Sequence, residues 1–553
     1  MKTLKNSINK NIFVIGAIML LSGILILFYI FPTIYLFYKG VVGSKFTLYN
    51  YLGPLFNSIK ISIWVFLWTS LIGCILAWLV VKTDFPLKKV IDDFCIVAFA
   101  IPPYIIALSW LQIFGRNGYF ERFIKVVLHF DNYTATPYSL NAAIFVLTLH
   151  LFPLMYFSVK NALKSIEPRL EYAAQVSGAK NALVFRRITF PLIKPSIITT
   201  GLFIFSRSLA NFSVPALLCL PARVEVATTK IYSSLTMLDS SKAAFYSLVL
   251  VVFSTFLYFL QAFLINKNQK ISLKSTISSR DISTVRLNKY KLISVIIVLL
   301  FFILVSVIPA ITMIISSLLK RWGLSLTINH FTLDNYKEIF SLHSKSLLAF
   351  RNSFLFGLIA AVFATIISLS CLIISHYLGK KFRIFEAVAS WPMAIPNTVL
   401  AVATIYCFNS YPLKLYGTIW GLIFTYMVLF TPIIMNQIKG LLSSQDIKLL
   451  QAARLSGYNS FLSFFKVVFP FLLPGVKSGI IVALMISLRE IPISLMLYST
   501  NQETVGVLLF GMQSQSFGLE MTSALSVVVV LIIILGNYVN RKNKEGKHGK
   551  FRN

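Results

Sequence analysis

Glu171-Tyr172-Ala173-Ala174-Gln175-Val176-Ser177-Gly178, followed by Phe185, Pro191 and Pro195, is matched later in the chain by Leu450-Gln451-Ala452-Ala453-Arg454-Leu455-Ser456-Gly457, followed by Phe464, Pro470 and Pro474. Each position of the second stretch lies 279 residues beyond its counterpart, and Pro153 and Pro432 ahead of them keep the same offset. A register held over such a length indicates an internal duplication. The stretches 171–195 and 450–474 are called the first and second repeated segments below.

Further echoes extend the duplication toward the start of each half. Phe46-Thr47-Leu48-Tyr49-Asn50-Tyr51 matches Phe331-Thr332-Leu333-Asp334-Asn335-Tyr336 at five of six positions, and Ala100-Ile101-Pro102 returns as Ala394-Ile395-Pro396. The matches keep their order, which chance does not readily produce. We therefore predict a first domain at 1–266, a basic linker at 267–291 and a second domain at 292–553.

The composition places the chain in a lipid bilayer. Of its 553 residues 57% are hydrophobic and 12% charged, and the mean hydropathy is +0.79. Crossing the hydrocarbon core takes about 20 apolar residues. Stretches of this kind number about twelve, six in each half, at 12–38, 58–81, 90–114, 137–159, 192–220, 244–266, 292–318, 350–378, 384–409, 416–437, 475–499 and 518–540. The predicted fold is an all-α integral membrane protein of two tandem, parallel six-helix repeats.

The net charge of +33 comes from basic residues concentrated in alternate loops. About two thirds of the 51 Lys and Arg fall at the N-terminus, at 82–89, 160–194, 267–291, 380–383 and 439–477, and in the tail from Arg541. The positive-inside rule then predicts that both termini are cytoplasmic, with the protein crossing its membrane many times. A nucleic-acid partner is not expected, because the basic residues do not cluster on a soluble domain.

Each repeated segment has the pattern of a helix, a turn and a second helix lying at the cytoplasmic face. Gly178 and Gly457 suit a turn with a left-handed backbone, and Pro191 and Pro470 are expected to stop the second helix at the membrane. An amphipathic interfacial loop could also hold Ala, Gly and Pro. Two copies in register favour a functional segment.

The duplicated segment resembles the "EAA" loop of the permease subunits of type 1 binding-protein-dependent ABC importers, and the six-span layout of each half resembles that family over nearly the whole chain. In the family this loop is the coupling helix that docks on the ATPase. The resemblance therefore implies ATPase-coupling roles for eight motif residues and the nearby acid: Ala173, Ala174, Gly178, Pro191, Ala452, Ala453, Gly457, Pro470 and Glu171.

Both segments depart from the family pattern in one respect. The family's Glu stands directly before the alanine pair, where this chain has Tyr172 and Gln451, and Glu171 lies one residue earlier. One residue rotates a side chain by about 100° around a helix. We expect that Glu171 can still reach an ATPase, whereas Leu450 supplies no charge, so that the two docking sites are unequal.

The chain contains no G-x-x-x-x-G-K-[ST] motif for cradling ATP phosphates. We therefore expect ATP to be used by a separate subunit, with two ATPase copies beneath the two halves and no cofactor bound by this chain. The resemblance also implies a location in the bacterial inner membrane and an extracytoplasmic solute-binding protein that delivers the cargo. Catalytic residues are not expected, because paired carboxylates, metal-ligand clusters and nucleophile–base arrangements do not stand out.

Fused two-half permeases resemble the iron(III) transport group, which makes ferric iron the expected cargo, with thiamine and aminoethylphosphonate as alternatives. The iron group often has Asp where this chain has Asn211, and no metal ligand is assigned. Arg207, Arg489 and Glu490 lie in apolar stretches, and they either line the translocation path with Asn211 or fix helix packing. An ion-coupled secondary carrier is the rival class, and it requires buried acids, chiefly Glu490.

Overall fold

The computed structural model describes residues 12–42, 52–130, 136–272, 285–324, 326–410, 414–444, 466, 468–514 and 518–548. Every regular element in these residues is helical, and two isolated bridges, Thr83 with Val285 and Leu319 with Phe331, are the pairings found outside the helices. The predicted all-α class is confirmed.

Ten helices of the described chain are long and apolar enough to cross a membrane, and two bent helix pairs raise the number to twelve. Numbered in chain order, the spans are Ile15–Val42, Leu52–Lys82, the pair Lys88–Ala100 with Pro103–Val127, Leu140–Lys164, Asn181–Leu209, Ser240–Ile265, Asn288–Leu318, Lys345–His376, the pair Arg383–Ala394 with Asn397–Phe408, Ile419–Leu442, Phe469–Ser487 and Leu519–Asn540. Shorter helices between them include Pro168–Val176, Ser213–Leu218, Ala227–Thr236, Asp334–Ile339, Pro492–Leu497 and Val505–Ser514. The predicted number of spans is confirmed.

The third and ninth spans are bent rather than continuous, by 95° and 110°. Both breaks fall at the repeated Ala-Ile-Pro, where Ile101 and Ile395 are extended with ψ of 129° and 128°. A proline disfavours helical backbone at the residue before it, so the helix ends there and a new one begins after Pro102 or Pro396. The predicted spans 90–114 and 384–409 each correspond to two helices that meet at this break.

The fifth and eleventh spans also end earlier than predicted. Their helices stop at Leu209 and Ser487, and separate short helices follow at Ser213–Leu218 and Pro492–Leu497. The predicted spans 192–220 and 475–499 each joined two elements, because an apolar run does not show where the backbone turns.

Wide π-turns precede the prolines of several spans. The turns Ile26–Ile30, Phe185–Thr189 and Ile303–Val307 each end two residues before a proline, Pro32, Pro191 and Pro309. In each turn the amide of the residue before the proline donates to the carbonyl five residues back. A wider turn leaves room for the proline ring and its missing N–H, so the helix continues.

The described chain separates into two compact units. Unit 1 contains 1–44, 234–251 and 333–553, and unit 2 contains 45–233 and 252–332. Each unit therefore includes the opening span of the other sequence half. The compact units therefore do not coincide with the two halves of the duplicated sequence. The predicted domain boundaries describe the duplication and stay a prediction: 1–266, 267–291 and 292–553.

Within unit 1, the first span packs on residues of the second half. Tyr29 and Thr431 share a hydrogen bond of 2.5 Å between their hydroxyls, and the rings of Phe28 and Phe424 lie 4.9 Å apart. Tyr29 and Thr431 are both buried, so this contact belongs to the core of the unit.

Within unit 2, the seventh span packs on the third and on the fourth, where the rings of Phe301 and Phe152 lie 5.5 Å apart. The rings of Phe94 and Phe302 are stacked at 5.0 Å, and the hydroxyls of Tyr119 and Ser316 are 3.0 Å apart. Each opening span thus has aromatic and polar partners of its own in the unit to which it belongs.

Candidate functional site

The first repeated segment begins with a nine-residue helix, Pro168–Val176, that is closed by Gly178. Gly178 has φ of +84°, the left-handed conformation predicted for it. Its amide donates to the carbonyl of Gln175 at 2.9 Å, and the amide of Ala179 donates to that of Ala174 at 3.0 Å. This double closure is the Schellman motif, in which glycine avoids the strain that a Cβ causes. The helix therefore ends at a defined residue and presents one fixed face.

The outer face of this helix is exposed and carries both apolar and charged side chains. Tyr172 and Val176, which lie one turn apart on the helix, are 45% and 88% exposed, and the side chain of Arg169 on the same face is 79% exposed. Ala173 is also exposed, and Ala174 is half-buried. The small side chains of the alanines allow another surface to approach this face closely.

Glu171 faces the opposite way. Its side chain is buried, its Oε2 lies 2.5 Å from Nζ of Lys82, and its Oε1 accepts from the Thr189 hydroxyl at 2.7 Å. The carboxylate of Glu171 is thus directed into the chain, and its contact with an ATPase stays a prediction. The rotation of about 100° that separates neighbouring positions turns Tyr172 outward and Glu171 inward.

The chain beyond the glycine turn does not stop at proline. Asn181–Val184 continues through the π-turn Phe185–Thr189 into Phe190–Leu209, so that the fifth span is entered without a break. The predicted stop at Pro191 was wrong, because the π-turn accommodates the ring. Phe185 packs edge-on against Trp78 of the second span, with ring centroids 4.9 Å apart.

Most of the second repeated segment falls outside the described residues, and Ala452, Ala453 and Gly457 are among those positions. Pro470 is described, near the start of the helix Phe469–Ser487. Val468, which corresponds to Thr189 at the offset of 279, is fully buried.

Two acid–lysine pairs that were missed in the sequence occupy matching places in the two halves. Asp92 of the third span pairs with Lys160 of the fourth, and the Tyr156 hydroxyl donates to the same carboxylate at 2.7 Å. Glu386 of the ninth span pairs with Lys439, with 2.6 Å between Oε2 and Nζ, and accepts from Ser375. The lysines are 279 residues apart and the acids 294, which are the local offsets of the duplication. Applying these two offsets to the charged residues of the sequence could therefore have identified both pairs.

Asn211 and Glu490 also match at the offset of 279, and both accept hydrogen bonds at the start of a short helix. Asn211 Oδ1 accepts from the amide of Val214 at 3.0 Å. The two carboxylate oxygens of Glu490 accept from the amides of Ile493 and Ser494, each at 3.0 Å. Both side chains act as helix caps, which favours the packing role over the translocation path.

Glu490 has two further partners within its unit. The hydroxyl of Ser494 donates to Oε2 at 3.0 Å, and the amide of Asn397 donates to Oε1 at 3.3 Å. Glu490 is 3% exposed, so the carboxylate is enclosed by donors.

The two arginines are placed differently. Arg207 lies in the last turn of the helix Phe190–Leu209, is exposed, and holds its guanidinium 5.1 Å from the centroid of the Phe203 ring. Arg489 follows the end of Phe469–Ser487 and is half-buried. They belong to different units, Arg207 to unit 2 and Arg489 to unit 1.

The end of the basic linker is fixed to the turn after the second span. The amide of Val285 donates to the Lys82 carbonyl at 2.8 Å, and that of Leu287 donates to Asp84 Oδ1 at 2.8 Å. This backbone donor, with the nearby charge of Lys291, holds the pKa of Asp84 below its ordinary value. The attachment lies directly beside the Lys82–Glu171 pair.

In the described residues no group of three or more His, Cys, Asp and Glu side chains is placed to hold a metal ion. The five cysteines are free, and four of them are buried. The described chain therefore assigns no metal ligand.

An all-helical chain of ten to twelve candidate spans, with a compact helix closed by glycine between the fourth and fifth, has the architecture of a polytopic membrane permease. The family model described as "Binding-protein-dependent transport system inner membrane component" matches it twice, at residues 69–270 and 366–544. The chain therefore belongs to this family, the permeases of ABC importers, and carries two copies of its domain in one polypeptide.

Named relatives are transport permeases. A ferric transport system permease protein of Actinobacillus pleuropneumoniae is 24% identical over 95% of this chain and 77% of its own length. A putative ferric transport system permease protein of Haemophilus influenzae is 26% identical over 70% of this chain and 61% of its own length. A molybdenum transport system permease protein of Escherichia coli is 31% identical over 28% of this chain and 66% of its own length.

Proposed function

We propose that this chain is the membrane-spanning subunit of an importer that moves ferric iron into the cytoplasm, driven by two ATPase subunits that dock on the two repeated segments. ATP is used by those subunits, and this chain binds no cofactor. Both termini and both repeated segments face the cytoplasm in this proposal. A solute-binding protein delivers the cargo from the other side.

The observation that carries the proposal is the exposed face of Pro168–Val176 on which Tyr172, Ala173 and Val176 lie. These residues face outward on a helix whose end is fixed by Gly178. A rigid helix loses little conformational freedom on binding, which favours its use as a docking element. The second segment carries the same glycine and alanine pattern at an offset of 279.

Ferric iron is favoured over other cargoes by the extent of the likeness. The two ferric relatives align over 95% and 70% of this chain, whereas a sulfate permease of Prototheca wickerhamii and the molybdenum permease align over 37% and 28%. Thiamine and aminoethylphosphonate remain alternatives from the sequence. An ion-coupled carrier is disfavoured because Glu490, its main candidate ion site, is taken up by capping.

Reconstitution tests the proposal. Proteoliposomes containing the chain, its ATPase subunits and the binding protein are expected to take up Fe(III) only when ATP is supplied on the ATPase side, with molybdate, sulfate and thiamine as competing cargoes. Uptake into liposomes that lack any ATPase would contradict the ABC mechanism. Uptake of a competing cargo in place of Fe(III) would leave the mechanism standing and change the cargo.

A variant pair tests the docking role. Gly178→Leu and Gly457→Leu are expected to weaken association with the ATPase subunits while the chain still inserts in the membrane, because a left-handed residue with a side chain distorts the helix end. Unchanged association in both variants would remove the role of the repeated segments.

A further inference from the structure

Three buried side chains join the first repeated segment to two membrane spans. Lys82 is the last residue of the helix Leu52–Lys82, Glu171 lies in Pro168–Val176, and Thr189 ends the π-turn that leads into the fifth span. They are 4%, 4% and 1% exposed. The carboxylate of Glu171 bonds to both of the others, with Oε2 at 2.5 Å from Lys82 Nζ and Oε1 at 2.7 Å from Thr189 Oγ1. We call these three residues the strut.

Burial makes the strut a stiff connection. A charged pair removed from water is costly to separate, because each partner is left with an uncompensated charge. Both carboxylate oxygens of Glu171 are engaged, one on each neighbouring element. The helix Pro168–Val176 therefore cannot move relative to the ends of the second and fifth spans without breaking a buried charge-assisted bond.

The base of the strut is itself held in place. The carbonyl of Lys82 accepts from the amide of Val285, and Asp84 accepts from that of Leu287, so the end of the linker braces the turn at the foot of the second span. Because these hydrogen bonds hold the turn after the second span, a displacement of the helix Pro168–Val176 moves the spans and does not merely deform the turn.

The second half does not repeat this arrangement. At the offset of 279 the residues that match Glu171 and Thr189 are Leu450 and Val468, neither of which can form the ionic or hydroxyl contact. A feature needed only for folding of the repeated segment is expected in both copies. Because only the first repeated segment has residues that can form these contacts, we infer that the contacts have a function specific to that segment.

We propose that Glu171 is a positioning residue that, through Lys82 and Thr189, transmits displacement of the first docking helix to the second and fifth spans. The inference rests on the proposed function, in which the ATPase subunits bind that helix. Tyr172, Ala173 and Val176 contact the ATPase, whereas Glu171 acts from behind them. The first segment is therefore connected to the spans through a contact that Leu450 and Val468, at the matching positions of the second segment, cannot form.

The experiment uses the full chain assembled with its ATPase subunits in lipid nanodiscs. It compares the kcat and KM for ATP of the assembled complex with those of the ATPase subunits alone, for wild type, Glu171→Gln, Lys82→Met and the exchange Lys82→Glu with Glu171→Lys. Glu167→Gln is the matched control, because Glu167 directly precedes the helix Pro168–Val176 and its side chain is 48% exposed.

The expected result is a loss of coupling without a loss of assembly. Glu171→Gln and Lys82→Met reduce the effect of the chain on kcat by about fivefold, in the range of ordinary coupling energies, while KM for ATP and the amount of bound ATPase stay at wild-type values. The charge exchange recovers at least half of the lost effect, and Glu167→Gln behaves as wild type.

Other results would overturn the inference. A wild-type effect on kcat in Glu171→Gln would show that the strut transmits nothing. Losses of kcat effect and assembly in parallel, without recovery in the exchange, would reduce the strut to a structural contact. If Glu171→Gln does not assemble, Thr189→Val decides, because it removes one hydroxyl and keeps the ion pair; an unchanged kcat effect there contradicts the proposal. Failure of the wild-type chain to bind any ATPase would instead overturn the proposed function.

Discussion

The two halves keep one polar contact in common and differ in another. Asp92 with Lys160 and Glu386 with Lys439 fix the third span to the fourth and the ninth to the tenth in the same way. The Lys82–Glu171 pair has no counterpart, because Leu450 stands at the matching position. Both halves thus contain the acid–lysine pair that packs two neighbouring spans together. Only the sequence of the first half allows the ion pair that connects a repeated segment to a span.

A similar contrast exists at the helix caps, where the same position holds an amide in one half and a carboxylate in the other. Asn211 accepts from one backbone amide, whereas Glu490 accepts from two amides, a hydroxyl and a side-chain amide. Both side chains cap a short helix, but Glu490 satisfies more hydrogen-bond donors than Asn211 does. Matched substitutions in the two halves test this comparison, because they are expected to change stability by different amounts.

The largest difference is expected at the caps. Glu490→Ala leaves several buried donors without an acceptor and is expected to lower the free energy of unfolding by about 3 kcal/mol, whereas Asn211→Ala is expected to cost about 1 kcal/mol, the usual value for a lost cap. Thermal unfolding of the purified chain in detergent measures both. Glu490→Gln is the control, since it retains an acceptor, and equal effects of the two alanine variants would show that the caps are equivalent.

The shared ion pairs come next. Lys160 is 10% exposed and Lys439 is 57% exposed in their side chains. Lys160→Met is therefore expected to cost about 2 kcal/mol, and Lys439→Met less than about 1 kcal/mol, since an exposed pair is screened by water. The midpoint of thermal unfolding gives the order of the two variants. Exchanging the charges of Asp92 and Lys160 serves as the control, and no recovery in the exchange would contradict an ionic role.

A smaller effect is expected at the glycine that closes the first segment. Nothing lies within 4 Å of a Cβ built on Gly178, so Gly178→Ala meets no clash, and the cost is the left-handed backbone, about 1 kcal/mol. Gly440 is also open but lies within a helix at ordinary φ, so Gly440→Ala is the matched control and should be neutral or stabilising by up to about 1 kcal/mol. Gly457→Ala sharpens the comparison: a cost equal to that of Gly178→Ala indicates the same closure in the second segment.

The smallest effect concerns the end of the linker. Asp84→Asn removes the negative charge that faces Lys291 and leaves a neutral, weaker acceptor for the amide of Leu287, so trypsin is expected to cleave after Arg286, Lys289 and Lys291 about twofold to fivefold faster. The pKa of Asp84 is held below its ordinary value in the folded chain. The contribution of this contact is therefore present above the ordinary carboxyl pKa and is lost as pH falls through the lowered one. Asp334→Asn, at another exposed Lys–Asp pair, is the control, and unchanged cleavage in Asp84→Asn would contradict docking of the linker end.

Much of this architecture could be predicted from local sequence. The glycine turn at Gly178, the number of spans and the duplication all follow from patterns within a few residues or at a fixed offset. The prolines after Ile101 and Ile395 indicate a possible bend at these residues. Hydropathy alone does not locate it, because an apolar run reads the same whether the backbone is straight or bent.

Tertiary partners were harder to predict. The inward direction of Glu171 depends on Lys82, which is 89 residues away, and nothing near residue 171 announces that partner. Asp92 and Lys160 could have been found by applying the two local offsets to every charged residue. The exchange of opening spans between the compact units has no sequence signal, because repeats report ancestry and not the helices against which a span packs.

That exchange has a consequence for how the protein is made. Unit 1 needs the span Ile15–Val42 together with residues from 333 onward, so about 290 residues must be synthesised before the first helix meets its main partners. At about 5–20 residues per second, translation of that length takes about 15–60 s. During this interval the earliest helix waits in the lipid with its hydroxyl of Tyr29 unpaired with Thr431, and the order of synthesis, rather than the order of packing, sets when the first unit can close.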